Sequence, residues 1–161
     1  MDNKNYTDLV NAGKYPDEPL VPLDAPFVNN NGGIQNLLLS GFTSAAIIES
    51  KMGALRANHY HKTDWHYTYV IDGEVWYYWK GAPGTPTEME ENSAIFHKGE
   101  VFFTPPRMIH AMFFPDRGRI LTLAKNVRDH ETHEADLVRI EIIRAAEDPS
   151  RSSGWRITWV S

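Results

Sequence analysis

Glycine and proline divide the chain from Gly33 onward into short apolar runs rich in β-branched and aromatic residues. Runs of this kind, recurring at intervals of roughly 8 to 12 residues with turn signals between them, are typical of antiparallel sandwiches and barrels. The sequence therefore predicts an all-β protein. The expected strands are residues 34–39, 45–48, 65–71, 74–79, 94–97, 99–104, 109–114, 119–124, 137–143 and 155–160, with one more around residues 59–61.

The two ends of the chain differ from this β region. Residues 1–33 contain four prolines. Because proline removes a backbone donor and restricts the residue before it, we expect an extended arm there and no helix. The β region is expected over residues 34–145, and residues 146–161 are expected to form a tail with a possible edge strand. At 161 residues the chain is of ordinary size for one domain.

Charge and composition exclude several classes of partner. The formal net charge is −5, and nucleic-acid or anionic-membrane surfaces normally need a basic patch. The absence of cysteine excludes both a disulfide framework and a thiolate metal site. The first residues lack the pattern of a signal peptide, and no apolar run approaches the roughly 20 residues that span a bilayer. We expect a cytoplasmic protein that binds a small molecule.

Three histidines, His59, His61 and His66, fall within eight residues. His59 and His61 are two apart, so on a strand both side chains project from the same face. Residues 62–64 are predicted to turn, and a hairpin there would bring His66 back beside the first two. A second hairpin is predicted at residues 72–73, an Asp-Gly pair, because glycine tolerates the positive φ of tight turns. Three converging imidazoles are suited to metal binding.

In these residues the sequence resembles the cupins, a superfamily of small double-stranded β-helix, or jelly-roll, proteins. Their first motif is a glycine, five residues, His-x-His, three or four residues, a glutamate, six residues and a glycine. Gly53, His59, His61 and Gly73 fit every spacing, and His66 occupies the glutamate position.

The second cupin motif is a glycine, five residues, Pro-x-Gly, two residues, a histidine, three residues and an asparagine. Gly99, Pro105 and His110 match it, whereas Arg107 replaces the second glycine and Phe114 replaces the asparagine. The motifs occur in the order found in the family. The resemblance therefore implies a cupin jelly-roll barrel, preceded here by the extended N-terminal arm.

The resemblance also implies a metal site formed by His59, His61, His66 and His110. Four neutral imidazoles leave a divalent ion its full charge, whereas a glutamate would neutralise part of it, so the ion is a stronger Lewis acid toward a carbonyl or a bound water. The expected cofactor is one divalent transition metal, with Zn, Fe, Ni, Mn and Cu as candidates. The alternative is a degenerate cupin whose histidines only hydrogen-bond one another.

Other polar side chains are assigned to structure or surface. His97, His130 and His133 lack the motif context, and a histidine of this kind is more often structural than a ligand. Arg56 and Arg107 flank the two motifs, and we expect them to be solvated rather than bound to an anionic substrate.

The aromatic run at residues 76–79 splits by strand alternation, with Trp76 and Tyr78 on one face and Tyr77 and Trp79 on the other. One pair is expected to fill the barrel or line its mouth, and the other to pack between sheets or at a subunit interface. Tyr78 is the candidate acid or hydrogen-bond donor.

The resemblance leaves the activity open, because cupins include several enzyme classes as well as sugar-binding proteins. Residues 56–62 look like the corresponding segment of cupin ketoisomerases and epimerases that act on nucleotide-linked deoxysugars. We therefore expect a metal-dependent isomerase or epimerase acting on an oxygenated, carbonyl-bearing small molecule, a sugar or a keto acid. The alternatives are a non-haem metal dioxygenase and a non-catalytic, metal-supported ligand- or carbohydrate-binding protein.

A homodimer is expected from the proline-rich arm, the aromatic strands and the habits of cupins. Sheet packing or strand exchange would form it, with the arm either crossing a neighbouring subunit or remaining a loose terminus.

Overall fold

The computed structural model describes all 161 residues and contains two helices and thirteen strands. Neither helix combines the length and the apolar character needed to cross a membrane. The helices are α1 (Asn3–Asn11) and α2 (His130–Asp136). The strands are β1 (Phe27–Asn29), β2 (Gly32–Ile34), β3 (Ser44–Ser50), β4 (Ala54–His61), β5 (His66–Asp72), β6 (Glu74–Gly81), β7 (Asn92–His97), β8 (Val101–Thr104), β9 (Met108–Phe114), β10 (Gly118–Ala124), β11 (Leu137–Arg139), β12 (Ile143–Glu147) and β13 (Trp155–Trp159).

Two antiparallel sheets face each other and enclose the barrel interior. One sheet has the strand order β3-β10-β5-β8 and the other has the order β11-β4-β9-β6-β7. From β3 to β10, consecutive strands alternate between the two sheets, except for the β6–β7 hairpin. The chain therefore winds around the barrel as a double-stranded β-helix, which confirms the predicted all-β jelly roll.

Both hairpins predicted near the histidines are wrong, because each of these turns passes from one sheet to the other. β4 and β5 lie in opposite sheets, and so do β5 and β6 on either side of Gly73. Gly73 has a φ of 79°, and a Cβ there would lie 2.7 Å from the carbonyl oxygen of Arg117. This corner therefore requires glycine both for its backbone conformation and for its close contact. His66 consequently approaches the other histidines from across the barrel.

The N-terminal segment contains a helix, so the expectation of no helix in residues 1–33 is wrong. The side chain of Asp2 caps α1 by accepting a hydrogen bond of 2.8 Å from the backbone N–H of Asn5. Tyr6 and Val10, four residues apart on one helix face, are buried against the barrel. The prolines that suggested an extended chain all lie after this helix, in residues 12–26, where no helix forms.

The proline-containing segment of the arm first joins the barrel, and the chain then leaves it. The backbone N–H of Val21 donates to the carbonyl of Val101, and that of Phe103 donates to the carbonyl of Pro19, both at 2.8 Å, so this segment lies along β8. β1 and β2 then pair only with each other. The buried strand expected at residues 34–39 does not form, because β2 ends at Ile34.

Three apolar clusters hold the layers together. The first lies inside the barrel, the second packs α1 and the arm onto the outside of the four-stranded sheet, and the third packs the β12–β13 hairpin onto the five-stranded sheet. The predicted C-terminal strand is confirmed as β13, whereas the single strand expected at residues 137–143 is divided between β11 and β12. The β12–β13 hairpin spans the boundary expected after residue 145. The barrel interior contains Val70, Val75, Tyr77, Phe96, Phe102, Met112, Phe114 and Ile120.

Candidate functional site

Four imidazoles from three strands meet at one end of the barrel interior. His59 and His61 lie on β4, His66 begins β5, and His110 lies on β9. The ring centroid of His59 is 5.0 Å from that of His61 and 4.9 Å from that of His110. The ring of His66 lies 5.5 Å from His61 and 5.3 Å from His110. The structure thus brings together all four histidines of the predicted set, here called the histidine cluster.

Three of these residues form a tighter group. One ring nitrogen from each of His59, His61 and His110 lies within 4.8 Å of the other two. Two nitrogens bound at about 2.1 Å to a tetrahedral zinc ion lie roughly 3.4 Å apart, so small side-chain movements would place the three around one ion. His66 adjoins this group but does not belong to it.

A β-bulge on β4 turns His59 toward the interior. Asn58 has no register partner on β9, although Ala57 and His59 on either side of it do. Ala57 and Asn58 have φ values of 68° and 55°, which are unfavourable for residues other than glycine. The Asn58 side chain fixes the bulge by accepting a hydrogen bond of 2.9 Å from the N–H of Ile142. Without the extra residue, strand alternation would turn His59 to the outer face.

The Nδ1 atoms of the cluster face protein groups. Nδ1 of His110 donates to the carbonyl of Met108 at 3.0 Å, since a carbonyl can only accept. Nδ1 of His66 lies 3.1 Å from the hydroxyl of Thr68. Nδ1 of His61 is buried 3.5 Å from Asp136 Oδ2 and makes no hydrogen bond. His110 thus has the arrangement of a metal-binding imidazole, in which one nitrogen is oriented by the protein and the other bears the free lone pair.

Burial keeps the whole cluster uncharged. Loss of hydration lowers the pKa of His59 to about 2 and that of His110 to about 4. The same cause lowers the pKa of His61 and His66 well below the ordinary value, and neighbouring imidazoles and Arg128 lower them further. All four rings are therefore neutral near pH 7, which is the form that binds metals. The residues present fit a divalent transition metal.

Tyr77 is the tyrosine that faces the histidine cluster. Its ring centroid lies 6.2 Å from that of His110, and its hydroxyl lies 2.8 Å from Thr104 Oγ1. Tyr78 is on the opposite face of β6, where its ring centroid is 5.8 Å from that of Trp159 on β13. The predicted alternation is confirmed, but Tyr78 points away from the cluster and Tyr77 faces it, because the odd-numbered residues of β6 point inward.

The chain matches no protein-family profile and no curated protein in sequence. Its structure does resemble solved structures. A 3,4-ketoisomerase from Helicobacter canadensis matches with a TM-score of 0.60 at 18% identity, over 78% of this chain and 92% of that chain. The dTDP-4-dehydrorhamnose 3,5-epimerase of Elizabethkingia anophelis matches with a TM-score of 0.60 at 16% identity, over 71% of this chain and 72% of that chain. The enzyme of the same name from Sulfolobus tokodaii has a TM-score of 0.57 at 12% identity, with 71% and 79% covered.

The chain has the cupin fold. Arg56 and Arg107, which lie beside the two cupin motifs in the sequence, make their hydrogen bonds away from the histidine cluster. Arg56 donates to the hydroxyl of Ser50 and to a backbone carbonyl, each at 2.7 Å. Arg107 donates to the carbonyl of Pro83 at 3.3 Å. Its φ of 59° explains why the cupin motif has glycine at this position.

His133 is a fifth imidazole beside the histidine cluster, although its sequence context had assigned it to structure or surface. Its ring centroid lies 5.7 Å from that of His61. Helix α2 is held there by Asp136, which accepts hydrogen bonds from the backbone N–H groups of Thr63 and Asp64 at 3.0 and 3.1 Å. No local spacing signals this approach, because residues 72 to 73 positions apart in sequence make the contact. His97, by contrast, lies away from the cluster, 3.6 Å from Glu74.

A buried ion pair borders the same end of the cupin barrel. Arg128 Nε donates to Asp64 Oδ2 at 2.9 Å, and only 2% of the Asp64 side chain is exposed. The other carboxylate oxygen accepts from the backbone N–H groups of Trp65 and Asn126, both at 2.9 Å. Neither member of the pair was singled out from the sequence.

A cavity of about 620 Å³ lies at the barrel rim, between the N-terminal arm and the turn after β8. Trp79 lines it and is the register partner of His110. None of the four histidines borders this cavity. A much smaller space lined by Tyr77, Trp79 and Met108 lies next to it. Tyr77 and Trp79, which lie beside His110, therefore also line this space at the rim.

Proposed function

We propose that this protein is a metal-dependent isomerase or epimerase that acts on an oxygenated, carbonyl-bearing small molecule, a sugar or a keto acid. The observation that carries the proposal is the group of three ring nitrogens within 4.8 Å, on the buried His61 and His110 and the half-buried His59. The lowered pKa values of these imidazoles keep their lone pairs available at neutral pH.

In this proposal, His59, His61 and His110 hold one divalent transition metal, with Zn, Fe, Ni, Mn and Cu as candidates. His66 lies close enough to serve as a fourth ligand. A bound ion would supply positive charge that polarises a carbonyl and makes an adjacent C–H bond more acidic.

Isomerisation beside a carbonyl also requires a group that removes a proton and returns it elsewhere. His133 is the candidate by position, since its ring adjoins His61 but does not belong to the three-nitrogen group. Tyr77 is suited to donate a hydrogen bond, because burial raises the pKa of its hydroxyl and keeps it protonated.

The names of the structural neighbours support this reaction class. They are ketoisomerases and epimerases, and one epimerase structure, from Legionella pneumophila, contains dTDP-4-keto-L-rhamnose. Both reactions rearrange a sugar that carries a carbonyl, which is the chemistry proposed for the histidine cluster.

Solvent deuterium exchange tests the proposal. Metal-loaded protein in D₂O would be incubated with ketoses, a dTDP-4-keto-deoxysugar and 2-keto acids, and the products would be analysed by NMR. We expect deuterium next to the carbonyl of at least one compound, with loss of exchange in His110→Ala. His97→Ala, which removes an exposed histidine outside the cluster, is the matched control. An absence of exchange across the panel would contradict the proposal.

A dioxygenase remains a second candidate because the tighter group contains three histidines rather than four. Three protein ligands leave three positions free on a six-coordinate ion, as oxygen-activating iron sites require. Oxygen uptake by iron-loaded protein with diketones or catechols, lost in His110→Ala, would support this candidate over the isomerase.

The protein is also expected to act as a homodimer. Phe27, Val28 and Ile34 on the β1–β2 hairpin are 61%, 69% and 59% exposed. A two-stranded hairpin alone is marginally stable in water, so an apolar surface covering it would stabilise it. A second copy could supply that surface. Light scattering should give a dimer for the native chain and a monomer for Val28→Asp, whereas a monomeric native chain would contradict the expectation.

A further inference from the structure

Arg128, in the segment between β10 and α2, has a buried guanidinium nitrogen without a partner. Only 19% of the Arg128 side chain is exposed. Its Nη2 atom is buried and makes no hydrogen bond in the protein. Buried donors in folded proteins nearly always have an acceptor, so an isolated donor of this strength points to one supplied from outside the chain.

The guanidinium is held by its other edge. Nε donates to Asp64, and the Asp64 carboxylate is itself fixed by two backbone N–H groups. Asp136, the other carboxylate near this end of the barrel, already accepts hydrogen bonds from Thr63 and Asp64. The neighbouring acidic side chains are therefore engaged and leave Nη2 without an acceptor.

Arg128 also lies close to the histidine cluster. Its partner Asp64 has a carboxylate oxygen within 4.8 Å of a ring nitrogen of His61, and Arg128 Nε lies 2.9 Å from Asp64. The Asp64 carboxylate balances the charge of Arg128. A divalent ion held by neutral imidazoles would add positive charge that they do not balance, which favours an anionic group beside the ion.

We infer that Arg128 binds a substrate carboxylate, so that the substrate is a keto acid with its carboxylate close to the reacting carbonyl, rather than an uncharged sugar. The inference rests on the proposed function and narrows its substrate class. Guanidinium groups are well suited to this role because their planar N–H donors match the geometry of a carboxylate. A pre-oriented donor next to the histidine cluster would also fix which carbon faces the proton-transferring group.

Binding of two small probes to the metal-loaded protein tests the inference. Pyruvate carries a carboxylate beside its carbonyl, and hydroxyacetone is a neutral analogue of similar size. Calorimetry should show pyruvate binding at least about tenfold more tightly, and Arg128→Gln should remove this preference while leaving hydroxyacetone binding unchanged. Arg144→Gln is the matched control, because Arg144 is 70% exposed and pairs with Glu141.

Removal of Arg128 alone leaves the buried Asp64 carboxylate unpaired and can unfold the protein. The double variant Asp64→Asn, Arg128→Gln replaces the ion pair with two neutral amides, and circular dichroism verifies its fold. Pyruvate affinity unchanged in the folded double variant would overturn the inference. Equal binding of pyruvate and hydroxyacetone by the native protein would overturn it too, as would tighter Arg128-dependent binding of inorganic phosphate, which would indicate a phosphorylated substrate.

These binding measurements do not depend on turnover, so the two proposals can fail separately. Arg128-dependent pyruvate binding without deuterium exchange in any compound would contradict the proposed function alone. Exchange in a neutral sugar without Arg128-dependent binding of pyruvate would contradict only the inference about the substrate.

Discussion

The two ends of the barrel interior are built from the same strands but have opposite chemistry. On β9, Met112 and Phe114 point into the apolar end, whereas His110 points into the other. On β5, Val70 lies at the apolar end and His66 at the histidine end. Burial of apolar surface at one end stabilises the barrel, and this allows the other end to keep buried imidazoles that contribute little to folding.

The apolar end should dominate stability, so the largest effect is expected there. Phe114 is fully buried, and Phe114→Ala should lower the free energy of unfolding by about 3 to 5 kcal/mol, because it removes packed surface and leaves a cavity. Urea unfolding followed by circular dichroism measures this loss. The variant should bind as much metal per folded chain as the native protein, and loss of metal from its folded form would show that the two ends are not independent.

The histidine end should dominate metal binding. His110→Ala removes one of the three grouped nitrogens and should weaken metal affinity about 100-fold or more, roughly 2.7 kcal/mol, as measured by competition with a chelator. His97→Ala should bind metal normally. If His110→Ala keeps native affinity, the histidine end is not a metal site.

Acid should destabilise the metal-free protein through the histidine end. The pKa of His110 is lowered to about 4 in the folded state and is near 6.5 when unfolded. Between these values only the unfolded state takes up the proton, so the stability that depends on His110 falls as the pH drops below 6.5, and this loss levels off near pH 4. Each histidine of this kind lowers the free energy of unfolding by about 1.4 kcal/mol per pH unit between its two pKa values.

Unfolding of metal-free protein at several pH values, compared with metal-free His110→Gln, isolates this contribution. The variant should lose stability less steeply with acid, by about one bound proton. Parallel curves for the two proteins would mean that His110 is not buried in its neutral form.

Tyr77 lies between the two ends and should show the smallest effect. Tyr77→Phe removes the hydrogen bond to Thr104 but keeps the ring, so we expect a loss of about 1 kcal/mol in unfolding free energy. Metal affinity should be unchanged, because the hydroxyl is not among the grouped nitrogens. A large drop in metal affinity would show that the Tyr77 hydroxyl takes part in metal binding.

Local patterns predicted most of the strands, because strand alternation is a property of neighbouring residues, and the four histidines were implied by the resemblance to the cupin motifs. Helix α1 could also have been found, since Asp2 is a capping residue and Tyr6 and Val10 lie on one helix face. The prolines that argued against it lie only in the following segment. The helix-breaking effect of these prolines does not reach residues 3–11, where α1 forms.

Long-range features were not predictable in the same way. The bulge at Asn58 depends on contacts with Ile142, and His133 reaches the cluster only because Asp136 anchors α2 to the turn after β4. The corner at Gly73 has the same local signal as a hairpin, although it connects two different sheets. Each of these features is determined by packing between segments far apart in the chain.

Titration of metal-free protein with Co²⁺ shows whether the histidine cluster binds a metal ion. We predict saturation at one ion per chain, with a visible absorption spectrum typical of nitrogen ligands, and loss of that spectrum in His110→Ala but not in His97→Ala. An absence of saturable binding, or an unchanged spectrum in His110→Ala, would contradict the claim that the histidine cluster is a metal site.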